Sequence, residues 1–297
     1  MPLSERIDER LGTLTAGERK AATALKADYP FTGLLTVAEF AKRANVSSQT
    51  ILRLASKLGF QGYSQFQQTL IGELKEGYQS PVTLREKRGD GKGAGSFFAG
   101  LVESAVRAAE ETASFISDAQ LEIIVALLSD QKRGVHLLGG RITDTLASYL
   151  ARHMKQIRPK VYKVPTDHEE WPDYLLRLGR NDVVFMVDVR RYQADLDWFA
   201  EQAAASGAHI ILLTDRWISP ISRHSTHVLP VIIDVGTPWD TSVTALLLIE
   251  ALINKVAEAD WPKTRSRIER WDSVRFSPGV ATLDGPTRWE KGNAGDE

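Results

Sequence analysis

Apolar residues recur at helical spacing through the first quarter of the chain, and the recurrence is sharpest over residues 36–58, TVAEFAKRANVSSQTILRLASKL. Val37, Phe40, Ala41 and Ala44 fall on one face, Val46 bridges, and Ile51, Leu54, Ala55 and Leu58 resume the spacing, which predicts two short helices sharing one core. Asn45 stands at the hinge, where a tight turn needs a residue that tolerates left-handed backbone. Ser47 is placed to cap the second helix, and Ser48, Gln49, Thr50, Arg53 and Lys57 are left facing outward. Hinge, cap and outward polar set together form the pattern of a helix-turn-helix. Any two packed amphipathic helices share its periodicity, but not its hinge and polar face.

The flanking pattern is helical as well. Residues 3–29 read as one or two helices carrying Leu14, Ala21, Ala24 and Leu25, with Thr15 as a cap. After a glycine-broken turn at 59–64, a helix is expected from Ser64 to about Glu76 with Phe66, Leu70, Ile71 and Leu74 inward, closing a helical domain over residues 1–78. Residues 79–95 lose the apolar rhythm and gain glycines, so they read as a flexible linker. A phosphate-cradling glycine loop would need a strand before it, and none precedes.

Two helical patterns follow, through Phe97, Leu101, Val102 and Val106 and then Leu121, Ile124, Val125 and Leu128. Beyond them the rhythm alternates. Apolar runs at 134–138, 161–164, 183–187, 209–213 and 228–233 are separated by helical stretches at 143–157, 169–178, 193–206 and 241–258. Near-continuous apolar strands between helices predict a five-stranded parallel sheet covered on both faces. The expected fold is therefore an all-α N-terminal domain plus an α/β domain over 96–260, followed by a basic amphipathic tail, 261–297, holding Arg265, Arg267, Arg270, Trp271 and Arg275. The tail reads as a docking arm onto the same or a neighbouring subunit.

A chain of 297 residues suits two domains at about 150 residues each. With 43% hydrophobic and 25% charged residues it has the composition of an ordinary globular protein. Net charge is −1, so any nucleic-acid reading rests on local charge: over 36–70, Lys42, Arg43, Arg53 and Lys57 face only Glu39. The absence of cysteine removes disulfides, Cys-ligated metals and thiol nucleophiles. No segment has the form of a signal peptide or the roughly 20 apolar residues of a membrane span, so a cytoplasmic protein is expected.

In a helix-turn-helix the second helix enters the major groove with its N-terminal residues toward base edges. Gln49 then suits adenine, Arg53 guanine or phosphate, Ser48 and Thr50 either, and Lys57 the backbone; Lys42 and Arg43 sit near phosphate. In a parallel α/β sheet ligands bind at the carboxyl ends of strands. Three such ends are polar: Gly139-Gly140-Arg141-Ile142-Thr143-Asp144, a glycine turn whose exposed amides favour an anion; Asp188-Val189-Arg190-Arg191-Tyr192; and Thr214-Asp215-Arg216. Guanidinium groups there suit carboxylate or phosphate. The alternative is a structural ion-pair network of Asp188, Arg190, Arg191 and Asp215.

The order of parts resembles the RpiR/MurR family of bacterial transcriptional regulators over residues 3–258. The resemblance rests on Leu14-Thr15-Ala16-Gly17-Glu18-Arg19, the helix-turn-helix, Lys57-Leu58-Gly59-Phe60-Gln61-Gly62-Tyr63-Ser64, and, in the second half, the glycine turn at Gly139 and Leu212-Leu213-Thr214-Asp215 with Ser219-Pro220-Ile221. It implies a sugar isomerase (SIS) domain that binds a small effector, usually a phosphosugar, assembly into a dimer or tetramer through that domain, and paired helix-turn-helix units on an inverted-repeat operator. DNA contacts are then expected at Lys42, Arg43, Ser47, Ser48, Gln49, Thr50, Arg53, Lys57, Tyr63 and Ser64.

The family's strand-end serines are replaced here by Asp188, Arg190 and Arg191, and Arg141 stands where a second glycine is usual. An anionic metabolite is therefore expected, held by Gly139, Gly140, Arg141, Thr143, Asp188, Arg190, Arg191, Tyr192 and Thr214. A competing class is an SIS-type isomerase with a helical extension, for which Glu250 and His168 are the candidate bases. A nucleoid architectural protein is the third class, disfavoured by the near-neutral charge and the metabolite-type domain. No cofactor or metal is implied: His168-Glu169-Glu170 lacks a second histidine at helical spacing and reads as a helix start.

Overall fold

The computed structural model of the chain describes residues 3–77, 79–88 and 96–275. Its first part is helical: α1 (Leu3–Arg10), α2 (Ala16–Ala27), α3 (Phe31–Leu34), α4 (Val37–Arg43), α5 (Ser48–Lys57) and α6 (Tyr63–Gly77). Local chemistry starts each of the central helices. Thr15 with Glu18 and Thr36 with Glu39 form reciprocal capping boxes, and the Ser47 hydroxyl accepts from the Thr50 amide. Asn45 has φ 51°, the left-handed hinge expected of it. Phe40, Ala41, Ile51, Leu54 and Leu58 share one core with Leu3, Ile7, Leu25, Tyr29, Phe66 and Leu70.

The short α3 was not legible in the apolar pattern, because it spans barely one turn. Gly33 lets it press on α6: a Cβ there would lie 2.3 Å from Leu70 Cδ1. Part of the expected linker is also helical, as α7 (Pro81–Arg88), which buries Leu84. The glycine run at 89–95 lies outside the described residues.

The α/β part opens with α8 (Phe97–Phe115) and α9 (Asp118–Ser129). Strands β1 (Val135–Gly139), β2 (Val161–Lys163), β3 (Val183–Val187), β4 (His209–Asp215) and β5 (His227–Val231) alternate with α10 (Asp144–Ile157), α11 (Trp171–Arg177), α12 (Ala194–Ala205) and α13 (Val243–Glu258). The sheet is parallel throughout in the order β2-β1-β3-β4-β5, with Gly139 level with Val187. Residues from α9, α10 and α13 cover one face, and Trp171, Phe199 and Ala203 from α11 and α12 cover the other. Since α10 and α12 leave β1 and β3 for opposite faces, a crevice opens between those two strand ends. Arg158, 1% exposed, braces the opposite end by donating to Leu128 and Arg133 carbonyls.

The segment after β4 reaches into the helical part. Ile218 packs on the N-terminal core, and Arg216 binds Glu5 of α1 through both carboxylate oxygens (3.0 and 2.9 Å) while pairing with Glu111 of α8. The tail begins as α14 (Trp261–Arg275), which lies on α10 of its own chain: Arg267 Nε donates to the Lys155 carbonyl at 3.0 Å, and Thr264 is buried. Residues 276–297 lie outside the described residues. Among the described residues no single helix is long and apolar enough to cross a membrane.

Candidate DNA-reading face and effector cavity

The exposed stripe of α5 is set by the four-residue repeat of the helix. With Ile51, Leu54 and Ala55 inward, Ser48, Gln49, Leu52, Arg53 and Ser56 are exposed, and Ser47 stands exposed at the cap. Lys42 and Arg43 are exposed at the end of α4, Arg43 pairing with Asp28 at 2.8 Å. Leu52 and Ser56 also belong to this stripe: four residues on from Ser48 is Leu52, and four more is Ser56.

Three expected contacts are placed otherwise. Thr50 is buried, and its hydroxyl sits 2.9 Å from Ser47 Oγ and accepts from Arg53, so it braces the helix start instead of facing out. Lys57 turns back onto α2, donating to Glu18 at 2.7 Å and to the Thr13 carbonyl at 3.1 Å. Burial opposes ionisation of Glu18, but hydrogen bonds from Lys57 and Thr15 outweigh it and hold its pKa below the usual value. Tyr63 donates to the carbonyls of Gly33 and Leu35 and fastens α6 to α3, while Ser64 is exposed.

At the β1 and β3 strand ends a cavity of about 360 Å³ is lined by Arg141, Thr143, Asp188, Arg190 and Arg191 from the expected set. Arg190 is its central feature. The guanidinium is 1% exposed, lies 4.3 Å from the Trp217 ring centroid and pairs with Asp240 at 3.2 Å. Yet among the described residues none of its three nitrogens has a hydrogen-bond partner. Native structures rarely leave a buried charged donor in that state, and a bound acceptor is the ordinary reason for one.

The glycine turn itself is closed. The Gly140 amide donates to Thr143 Oγ1 and the Arg141 amide to Gln193 Oε1, both at 2.7 Å, and the Thr143 hydroxyl donates to the Val187 carbonyl. Two of the amides expected to hold an anion are thereby spent on the fold. Gly139 and Gly140 do not line the cavity; a Cβ on Gly139 would lie 2.6 Å from the backbone of Thr143 and Asp144, so its role is to let α10 fold back over the strand. Tyr192 and Thr214 are also structural. Tyr192 donates to Asp215 at 2.8 Å, and Thr214 Oγ1 accepts from the Ser219 amide.

Asp188 and Asp215 form the polar floor behind Arg190. Burial, chiefly, and then Asp215 beside it raise the Asp188 pKa to about 8, against the lowering effect of the Ser219 hydroxyl, which donates to it at 2.5 Å. Asp215, its own pKa raised by burial, accepts from Tyr192 and from the amides of Arg190 and Trp217. The expected alternative of one ion-pair network is thus met only in part: Asp215 fixes the Arg190 backbone, while the Arg190 side chain points to Asp240.

Gln79, Gln193, Trp239, Asp240, Thr241 and Ser242 add to the wall beside apolar residues such as Ile142, Leu146 and Ile233, and the sequence pattern marks none of these six as ligand-facing. In the fold all six lie outside the helices and strands, with Gln193 just ahead of α12 and Thr241 and Ser242 just ahead of α13, and helical periodicity does not say what a residue at such a boundary faces. A larger cavity of about 570 Å³ lies between α1 and the α/β part, but its cations are already paired, Arg216 with Glu5 and Glu111 and Lys26 with Asp8. Glu250, which accepts from Tyr149, and His168, paired with Asp195, line neither cavity. Among the described residues no group of three or more His, Asp or Glu is placed to hold a metal ion.

Residues 1–77 match the family model of the helix-turn-helix domain of the rpiR family, and residues 127–255 match that of the SIS domain. The chain belongs to the RpiR family of transcriptional regulators. A relative of this RpiR-family protein is an uncharacterized HTH-type transcriptional regulator of Haemophilus influenzae, 24% identical over 218 residues, 73% of this chain and 75% of the relative. Its fold is similar to the sugar isomerase domain of an RpiR transcription factor from Sphaerobacter thermophilus (TM-score 0.56, 17% identity, 59% of this chain and 98% of that one). It is also similar to Vibrio vulnificus NanR complexed with ManNAc-6P (TM-score 0.52, 21% identity, 92% and 97% covered). The two-part architecture of RpiR regulators is therefore present, with a guanidinium at its sheet end.

Proposed function

We propose that this regulator binds an inverted-repeat operator as a homo-oligomer in the cytoplasm and that a small anionic metabolite in the sheet-end cavity sets its DNA affinity, without catalysis. The observation that carries the effector is the buried Arg190 guanidinium, whose nitrogens lack hydrogen-bond partners among the described residues, in a cavity it shares with Arg141 and Arg191. A phosphate, as in the ManNAc-6P bound by NanR, or a carboxylate satisfies such a fork bidentately. On the DNA side, Ser48, Gln49, Leu52, Arg53 and Ser56 meet base edges, with Leu52 suited to a thymine methyl, and Lys42 and Arg43 meet phosphate.

A second copy of the chain is expected on the apolar stripe of α8. Phe97 and Phe98 are 76% and 72% exposed, and Val102 and Val106 are exposed below them. Genomic pulldown followed by a thermal-shift screen tests the whole reading. Few sharp sites with an inverted repeat, and stabilisation by ManNAc-6P or by acidic metabolites that Arg190→Met abolishes, are expected. Absence of DNA retention, or no response to any anion, would overturn it.

A further inference from the structure

Gln79 stands between α6 and α7, in a stretch that neither family match covers, and the sequence assigns it to a linker. The fold places it elsewhere. It is 7% exposed and forms part of the wall of the cavity that holds Arg190. Its Oε1 is buried and among the described residues has no hydrogen-bond partner. A glutamine carbonyl accepts and cannot donate, so what would satisfy it is an N–H or O–H. Among the described residues one cavity thus holds two buried groups lacking hydrogen-bond partners and of opposite demand, a guanidinium that pairs in charge with Asp240 yet has no acceptor in hydrogen-bond geometry, and a carbonyl that needs a donor.

We propose that Gln79 is a ligand-reading residue, and that the effector is an oxyanion, carboxylate or phosphate, that also carries a hydroxyl or amine. Its oxyanion seats on Arg190 and its hydroxyl or amine donates to Gln79 Oε1. This rests on the reading of the cavity as the effector site and narrows it. A cavity of about 360 Å³ lies at the small end of metabolite sites, so one compact molecule reaches both walls. An anion lacking the donor leaves the buried carbonyl unsatisfied, which is the strongest way a site rejects a near-analogue. Because Gln79 belongs to the junction following the DNA-reading helices, the same bond restrains that junction when effector binds.

The test uses the full chain and matched pairs that differ only in the donor: L-malate against succinate, and 2-hydroxypropyl phosphate against propyl phosphate, with further hydroxy and amino acids and sugar phosphates each paired with its deoxy or des-amino analogue. Affinities come from calorimetry. In the wild type the donor-bearing member of at least one pair binds about tenfold more tightly, as one hydrogen bond to a buried group predicts. Gln79→Leu erases that preference, and Arg190→Met loses both members. The free Gln79→Leu protein melts about 2 °C higher, because an unsatisfied buried carbonyl has been removed.

Should Gln79→Leu fail to fold, Gln79→Ala carries the same expectation for the preference. If Arg190→Met loses both members but every preference survives at Gln79→Leu, the Gln79 assignment is wrong while the anionic effector stands. If no probe of either series binds the wild type, both are wrong. Preference confined to the phosphate pairs or to the carboxylate pairs identifies the oxyanion.

Discussion

Single residues in this molecule divide between those turned toward a partner and those spent on the fold, and the division does not follow residue type. Arg53 and Lys57 are both cations on α5, yet Arg53 is exposed and Lys57 is bound to Glu18. Arg53→Ala is expected to weaken operator binding by about 1–3 kcal/mol and to relax specificity at one base, measured by anisotropy on specific and random DNA. Lys57→Ala instead leaves the buried Glu18 carboxylate without its cation and lowers unfolding free energy by about 1–3 kcal/mol, read by urea denaturation. Equal loss on specific and random DNA for Arg53→Ala would remove it from base reading.

Asp188 gives a pH dependence at the same scale. Its folded pKa, about 8, lies above the ordinary carboxylate value, so the folded state holds the proton more firmly than the unfolded chain does. Stability from this group is complete at acid pH and is lost as pH rises from the usual carboxylate range to about 8. Asp215, raised by burial, acts with the same sign. Asp188→Asn should flatten the part of the decline that Asp188 causes, measured by denaturant unfolding across that window. Effector affinity should fall in the wild type as pH passes about 8, where Asp188 becomes a second anion near the ligand.

At the scale of elements, the turn after β4 joins the two sites. Trp217 stacks on Arg190 in the cavity, while its neighbours Arg216 and Ile218 touch α1 and the helical core. Ile218 adopts φ 61°, which a β-branched residue rarely takes and which costs about 1–3 kcal/mol, so the contact with the helical core is held against strain. Ile218→Gly removes both the strain and the apolar anchor. It should leave effector affinity near wild type while reducing the change in DNA affinity that effector causes, compared by operator titrations with and without saturating effector. An undiminished response would show that this turn does not couple the sites.

For the whole molecule, net charge is near zero and the cations of the reading face are few, so operator affinity should depend on salt with a slope set by local phosphate contacts such as Lys42 and Arg43. Removing both should lower that slope by about two units on any DNA sequence. The exposed Phe97, Phe98, Val102 and Val106 predict that Phe98→Glu shifts the chain toward monomer in sedimentation, with operator affinity falling because paired half-sites are no longer bridged.

The order of the five strands' elements, the hinge at Asn45, the caps at Thr15 and Ser47 and the inward faces of α4 and α5 were legible in the sequence, because periodicity, left-handed tolerance and capping are local properties of a few adjacent residues. Arg190 was legible as a candidate for the same reason, ending an apolar strand. What only the tertiary structure decided is which polar groups remain unsatisfied. Thr143 and Gln193 quench the glycine turn, Glu18 claims Lys57, and Gln79 is carried from a supposed linker into the cavity beside Arg190. Each of those depends on a partner tens of residues away, or on a neighbour through which no periodic signal runs. A buried hydrogen bond is a property of two groups and their exclusion from water, and the chain fixes that exclusion only once it has folded.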